Sequence, residues 1–275
     1  MTLLLRTTST ILAATACLGC GGDSTTNSSA SHSLPVASLA AAPASLDDPA
    51  LAAASLKVLY FGNSHTAAHD IPRLVGDMIR FRQPQTTYAS QLFYVGFLEN
   101  APQAAAAETI NRHPWSFVVL QAQKISMSGK YKYSQKAGID LAMAAKAKGA
   151  TVLFFSEWGR RDVPDDGVIQ ESIYQEMADA AGVRVAPIGR AWDAAHIAKP
   201  GLALHDLDGN HESQVGAFLT ACVFFALFTD SDPAALADFE YADIPKADRT
   251  IMAEAASKVW NDDRVKRNKK GERGR

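Results

Sequence analysis

Cysteine is scarce in this chain. Of 275 residues only Cys17, Cys20 and Cys222 are cysteine, and two of these fall within the first twenty positions. One cysteine is left for the folded part, so an intramolecular disulfide framework is excluded there. Its setting, Ala221-Cys222-Val223-Phe224-Phe225, reads as a buried helix, which makes it a small core residue rather than a reactive thiol. An excess of one charge is also missing. The formal net charge is -2, so no global field draws the chain to nucleic acid or to a membrane surface. Aromatic residues are absent from Asp23 to Ser55, which leaves that stretch without the side chains that build a core.

Each end has its own character. Arg6 is followed by an apolar run, Ile11 to Leu18. It is too short to cross a bilayer but suits the apolar part of a signal peptide. The next residues, Cys17-Leu18-Gly19-Cys20-Gly21-Gly22-Asp23, resemble the lipobox of bacterial lipoproteins. That resemblance implies acylation of Cys20, with Cys17 as the second candidate, and anchoring on the periplasmic or outer cell-surface side. Residues 1–20 are therefore expected to be a lipoprotein signal peptide and 21–55 an unstructured linker of Ser, Thr, Asn, Ala and Pro. The far end, 246–275, is expected to be a C-terminal helix and basic tail. Seven Lys and Arg from Arg264 to Arg275 face Asp262, Asp263 and Glu272 there, a pattern usual for a solvated segment.

Between these ends, residues 56–245, short apolar runs alternate with amphipathic stretches. Strands are expected at 57–61, 91–95, 116–120, 151–156 and 183–188. Helices are expected from Pro72 and at 101–112, 134–148, 168–181 and 213–228. Strictly alternating strands and helices imply parallel βαβ units. The expected fold is a three-layer α/β/α sandwich around a five-stranded parallel sheet. In such sheets chemistry gathers at the carboxyl ends of the strands.

Gly62-Asn63-Ser64-His65-Thr66 follows the first strand directly. A serine at a strand-to-helix turn exposes its hydroxyl, and its own N–H sits at the positive end of the coming helix. A helix-capping serine without chemistry has the same position. The second cluster separates the two cases. Asp208-Gly209-Asn210-His211 precedes the last long apolar helix. A nucleophilic serine needs a base, and the base needs a carboxylate to fix its tautomer.

Together the two clusters resemble the SGNH/GDSL hydrolase family, from about Lys57 to Phe228. Gly62-Asn63-Ser64 stands for the family's Gly-Asp-Ser block. Asp208 to Ser213 followed by Gly216-Ala217-Phe218-Leu219 is similar to one subgroup's last block, with Glu212 in place of Pro. The resemblance implies a flavodoxin-like fold and a Ser64–His211–Asp208 triad. It implies acyl transfer to water without a cofactor, and a small-molecule or glycan ester as substrate. The oxyanion donors it implies are the N–H groups of Ser64 and Gly96. The family's Gly-x-Asn-Asp block, whose Asn completes the hole, is missing. Gln121, after the third strand, is expected to substitute, with Gln123 as second choice. One such donor is worth about 2.7–4 kcal/mol of barrier, so a catalytically inactive glycan-binding domain is the rival reading. Asn63, His65, Gln123 and Trp158 are expected to line the substrate cleft.

Metal readings are weaker. Gly209-Asn210-His211-Glu212 also spells a metallophosphoesterase motif, but the companion blocks of that motif are missing and no histidine follows His211. Asp206, Asp208 and Asn210 imitate the start of an EF-hand loop, yet its turning position holds His211 rather than Gly. His65 and His69 stand four apart with no third ligand evident. No metal is expected.

Overall fold

A computed structural model of the chain describes residues 48–273, apart from residues 124 and 127. Cys17 and Cys20 lie outside the described residues. Five parallel strands form one sheet: β1 (Leu56–Gly62), β2 (Tyr88–Tyr94), β3 (Phe117–Leu120), β4 (Thr151–Phe155) and β5 (Arg184–Ala186), in the spatial order β2-β1-β3-β4-β5. All four pairings are parallel. β1 lies against both β2 and β3, so its carboxyl end opens between theirs.

The period-two alternation of the strands sorts the core into two layers. Val58, Tyr60, Val119, Leu153 and Phe155 face one side. There they meet α3 (Ile71–Arg82), α7 (Ile188–Ala198), α8 (Gln214–Thr229) and α9 (Lys246–Arg273). Leu59, Phe61, Val118, Leu120, Val152 and Phe154 face the other. Their partners are α4 (Gln103–Arg112), α5 (Lys136–Ala147) and α6 (Asp166–Ala181), together with Leu51 of the short helix α1 (Pro49–Ala53). Helix α8 is buried from Gly216 through Phe228, as a helix apolar all round must be. Complete burial of each large apolar side chain in it contributes roughly 1.5–3 kcal/mol.

Three expectations change. The linker does not extend to residue 55: Asp48 caps α1 through a bond from Ala50 N, and Leu51 is buried. The fifth strand ends at Ala186, because Pro187 is the N-cap of α7, a helix absent from the expected elements. Ile188, Ala191, Trp192 and Ala195 bury one face of it. The domain does not stop at residue 245. Met252, Ala253, Ala256, Val259 and Trp260 of α9 are buried, and the helix runs on through the basic segment to Arg273. Cys222 is buried, and burial pushes its thiol pKa well up. Among the described residues no helix is long and apolar enough to cross a membrane.

Gly216 carries α8 past the chain segment that leads to the site. A Cβ there would lie 2.3 Å from Leu204 O and 2.6 Å from the Trp192 ring. Backbone cannot move aside as a side chain can. Gly216→Ala is expected to cost about 1–3 kcal/mol of stability, read as a lower urea midpoint at unchanged slope; an unaltered midpoint contradicts this packing.

Candidate active site

The site forms where β1 ends. Gly62 must be glycine: a Cβ would lie 2.4 Å from Thr66 Oγ1 and 2.8 Å from Gln121 Oε1. The chain then turns at Asn63 into the four-residue helix α2 (Ser64–Ala67). Asn63 Oδ1 caps it by accepting from His65 N at 3.1 Å. Ser64 occupies the first helical position, where N–H groups lack an intrahelical partner. No hydrogen bond among the described residues takes the Ser64 N–H or that of Gly96. Gly96 is exposed, and its carbonyl accepts from Asn63 Nδ2 at 3.2 Å. The two N–H groups are thus joined through Asn63.

The facing wall is the segment 204–213. Asp206 N donates to His211 O at 2.9 Å and Ser213 N to Leu204 O at 2.8 Å, which closes it as a narrow loop. Gly209 turns its tip with a φ of +70°, a conformation that suits glycine. Asp208 Oδ1 accepts from the N–H groups of Asn210 (2.8 Å) and His211 (2.9 Å). Its Oδ2 stands 2.5 Å from His211 Nδ1. The three-residue spacing lets one carboxylate both fold the loop and orient the imidazole. Burial alone would raise the Asp208 pKa. The hydrogen bond from His211 and the two backbone N–H groups outweigh it and hold the carboxyl down at about 2. His211 Nε2 is 2.8 Å from Ser64 Oγ. Ser64, His211 and Asp208 therefore form one continuous hydrogen-bonded line.

Gln121 is not placed to donate to an oxyanion. It is fully buried. Its Oε1 accepts from Asn63 N at 2.8 Å and Thr66 Oγ1 at 2.9 Å. Its Nε2 donates to Asn63 Oδ1 at 2.9 Å and to Glu157. Both amide hydrogens are spent within the protein, so Gln121 positions Asn63 beside Ser64.

Of the four residues expected to line the cleft, His65, Gln123 and Trp158 are buried instead, and all four are engaged within the protein. Asn63 is committed to the cap and to Gly96. His65, 3% exposed, lies under the base, with its ring 4.6 Å from that of His211 and its Nε2 3.2 Å from Asn210 O. Trp158 is 2% exposed. It stacks on Trp192 at 4.1 Å and donates Nε1–H to Asn210 O at 3.0 Å. Gln123 is buried, with Nε2 donating to Tyr133 O at 3.1 Å. The sequence signs these residues as polar neighbours of strand ends; only the packed core shows that they point inward.

Several contributors had no role assigned from sequence. Asn210 matters through its carbonyl, which takes both the Trp158 and His65 donors. His69 Nε2 reaches Glu212 O at 3.1 Å, so the His65 and His69 rings each bind a carbonyl of the segment 204–213. Arg161 donates its N–H to Gly209 O at 2.8 Å and its guanidinium to His205 O (3.1 Å) and Asp206 O. No signal beyond hydrophilicity distinguished Arg161, whereas Thr66 lay inside the serine motif. Among the described residues no group of three His, Cys, Asp or Glu could hold a metal ion.

No family model matches the chain, and no curated protein matches it in sequence. Solved structures do match. A DUF4886 family protein from Bacteroides uniformis superposes with a TM-score of 0.54 at 15% identity, over 74% of this chain and 94% of that one. A protein from Slackia heliotrinireducens described as an SGNH hydrolase does so at 0.50 and 21% identity, over 63% and 98%. An acetyl xylan esterase does so at 0.51 and 14% identity, over 62% and 99%. The chain has the SGNH hydrolase fold.

Removing the Gln121 amide while keeping its bulk tests the positioning role. Gln121→Leu is expected to stay folded, to lose about 1–3 kcal/mol through the bonds withdrawn from Asn63 and Thr66, and to lower any ester-cleaving kcat roughly tenfold or more as Asn63 comes loose. A kcat equal to wild type, on any ester the parent cleaves, rules the role out.

Proposed function

We propose that the chain is a serine esterase that hydrolyses carboxylic esters through an acyl-enzyme. The observation that carries this is the line from Ser64 Oγ to His211 Nε2 (2.8 Å) and from His211 Nδ1 to Asp208 Oδ2 (2.5 Å), set beside the unengaged N–H groups of Ser64 and Gly96. His211 takes the Ser64 proton as Oγ attacks the ester carbonyl, and Asp208 stabilises the imidazolium. The carbonyl oxygen gains its charge in front of the Ser64 and Gly96 N–H groups. Collapse expels the alcohol, which leaves with the proton from His211. Water, deprotonated by His211, then attacks the acyl-Ser64 carbon; the acid departs and Ser64 recovers its proton.

A fluorophosphonate probe is expected to label wild type and not Ser64→Ala. Hydrolysis of 4-nitrophenyl acetate, followed as a function of pH, is expected in wild type and not in Ser64→Ala. Asp208, held at about 2, adds no limb above pH 3. Wild-type protein that is neither labelled nor active at pH 8 overturns the esterase reading in favour of a non-catalytic binding domain.

Placement at the cell surface, on acylated carbohydrate, belongs to the same proposal. Its support is the lipobox-like Leu18-Gly19-Cys20 together with a domain whose first described element begins at Pro49. Acylated Cys20 would leave a tether of almost thirty residues between lipid and domain. Cys20→Ala is expected to move the protein from the membrane fraction to the soluble one, and retention in the membrane fraction removes the assignment.

A further inference from the structure

Three aromatic rings run outward from the oxyanion side of the site. Phe97 directly follows Gly96. Its ring lies 4.5 Å from that of Tyr133, which in turn lies 5.2 Å from that of Tyr131. The outermost ring is on a residue 58% exposed. Aromatic residues recruited only for packing bury their largest faces, since burial is where their free energy comes from. This ladder keeps its last ring in water, and Tyr94, 62% exposed, ends β2 two residues before Gly96.

The ladder is also held in place from below. Gln123 Nε2 donates to Tyr133 O at 3.1 Å, and Gln123 N donates to the hydroxyl of buried Tyr174 at 2.8 Å. Ser134 N donates to Glu99 Oε2 at 2.8 Å, joining the segment after Tyr133 to the turn after Phe97. Ser126 and Tyr131 close the outer hairpin through Ser126 N to Tyr131 O (2.9 Å) and Tyr131 N to Ser126 Oγ (3.0 Å). A backbone fixed before a ligand arrives loses little freedom when its side chains are bound.

We infer that Phe97, Tyr133 and Tyr131 form a subsite for a sugar ring of a glycan ester, adjoining the acyl-transfer centre at Gly96. The inference rests on the esterase reading and names its substrate class. A pyranose has an apolar C–H face that lies flat on an aromatic ring, and a hydroxyl edge that stays hydrated. Two of the three rings carry hydroxyls, and the hydroxyls of Ser126 and Ser128, bonded to each other at 3.1 Å, lie on the same hairpin as the outer one. A fatty acyl chain has no polar edge and gains most from an apolar groove that encloses it, whereas this row ends in solvent.

The test compares acetylated oligosaccharides of xylose, mannose and N-acetylglucosamine with 4-nitrophenyl acetate and 4-nitrophenyl octanoate, in wild type, Tyr131→Ser and Tyr131→Trp. Tyr131→Ser is expected to lower the ratio of kcat/KM on the preferred oligosaccharide to that on 4-nitrophenyl acetate roughly tenfold, the scale of one aromatic contact. The loss should fall in KM, and Tyr131→Trp should restore the ratio. An unchanged ratio overturns the subsite, as does a loss confined to the octanoate or a wild type that prefers none of the oligosaccharides. Calorimetric binding of the same oligosaccharides to Ser64→Ala and to Ser64→Ala/Tyr131→Ser reads the subsite without catalysis. Weaker binding in the double variant supports it even if 4-nitrophenyl acetate is not cleaved, and equal or absent binding in both proteins overturns it.

Discussion

The site depends on one buried amide. Gln121 extends from the end of β3 and meets the ends of two neighbouring strands: Asn63 and Thr66 beyond β1, and Glu157 beyond β4. A side-chain amide has two donors and one two-lone-pair acceptor, and here all of that capacity is used inside the protein. An unsatisfied amide at this depth would be costly, whereas a fully connected one specifies a single arrangement. The consequence for chemistry is indirect but strong. Asn63 cannot swing, so neither the cap that begins at Ser64 nor the Gly96 carbonyl bound to Asn63 Nδ2 is free to drift. Where the SGNH/GDSL pattern has a Gly-x-Asn-Asp block with a donor Asn, this chain has a brace.

The opposite wall follows the same logic with backbone in place of amide. The Asn210 carbonyl receives Trp158 and His65, and the Glu212 carbonyl receives His69. His211 lies between these two anchored residues. Trp158 is itself fixed by a nearly parallel stack on Trp192, whose Nε1–H reaches Thr220 of α8 at 3.2 Å. The loop that carries His211 is thus tied to the apolar helix α8 through two indole rings. Local strain marks the same region: Ala122, next to Gln121, has a φ of +86° and is buried. Such a conformation costs of order 1–3 kcal/mol and persists because Ala122 O is held by Leu98 N at 2.9 Å.

What was legible in the sequence is what local pattern encodes. The apolar runs at 57–61, 116–120 and 151–156 identify strands, and their alternation with helices identifies the parallel sheet. Ser64 and the Asp208–His211 pair are visible because their geometry is nearly local: a strand-to-helix turn, and a carboxylate that folds its own loop. Helix α7 was not visible, because Pro187 looks like a flaw in a strand until the chain is seen to use it as an N-cap. The supporting residues were mislocated for a deeper reason. His65, Gln121, Gln123 and Trp158 are polar or amphipathic side chains at strand ends, and sequence does not say whether such a group turns to solvent or to the core. The answer depends on partners that local pattern does not pair with them, such as Glu157, 36 positions from Gln121, and Asn210, 145 from His65. Buried amides with complete hydrogen bonding are the part of a site that composition conceals best.

The triad itself is only lightly covered. The side chains of His211 and Asp208 are 31% and 49% exposed, and interactions between charges weaken as solvent approaches. The low Asp208 pKa therefore owes little to a dry environment; it reflects three aligned donors on one carboxylate. Alignment must then come from the scaffold, and that accounts for how many buried groups are spent on holding Asn63 and Asn210. Exposure also bears on the proposed reaction. An acyl-enzyme in a wet site meets water as its most abundant acceptor, so hydrolysis needs no special channel for the second step. Selection among esters then falls to surfaces around the serine that can grip the larger half of the substrate, and the braced aromatic ladder beyond Gly96 is such a surface.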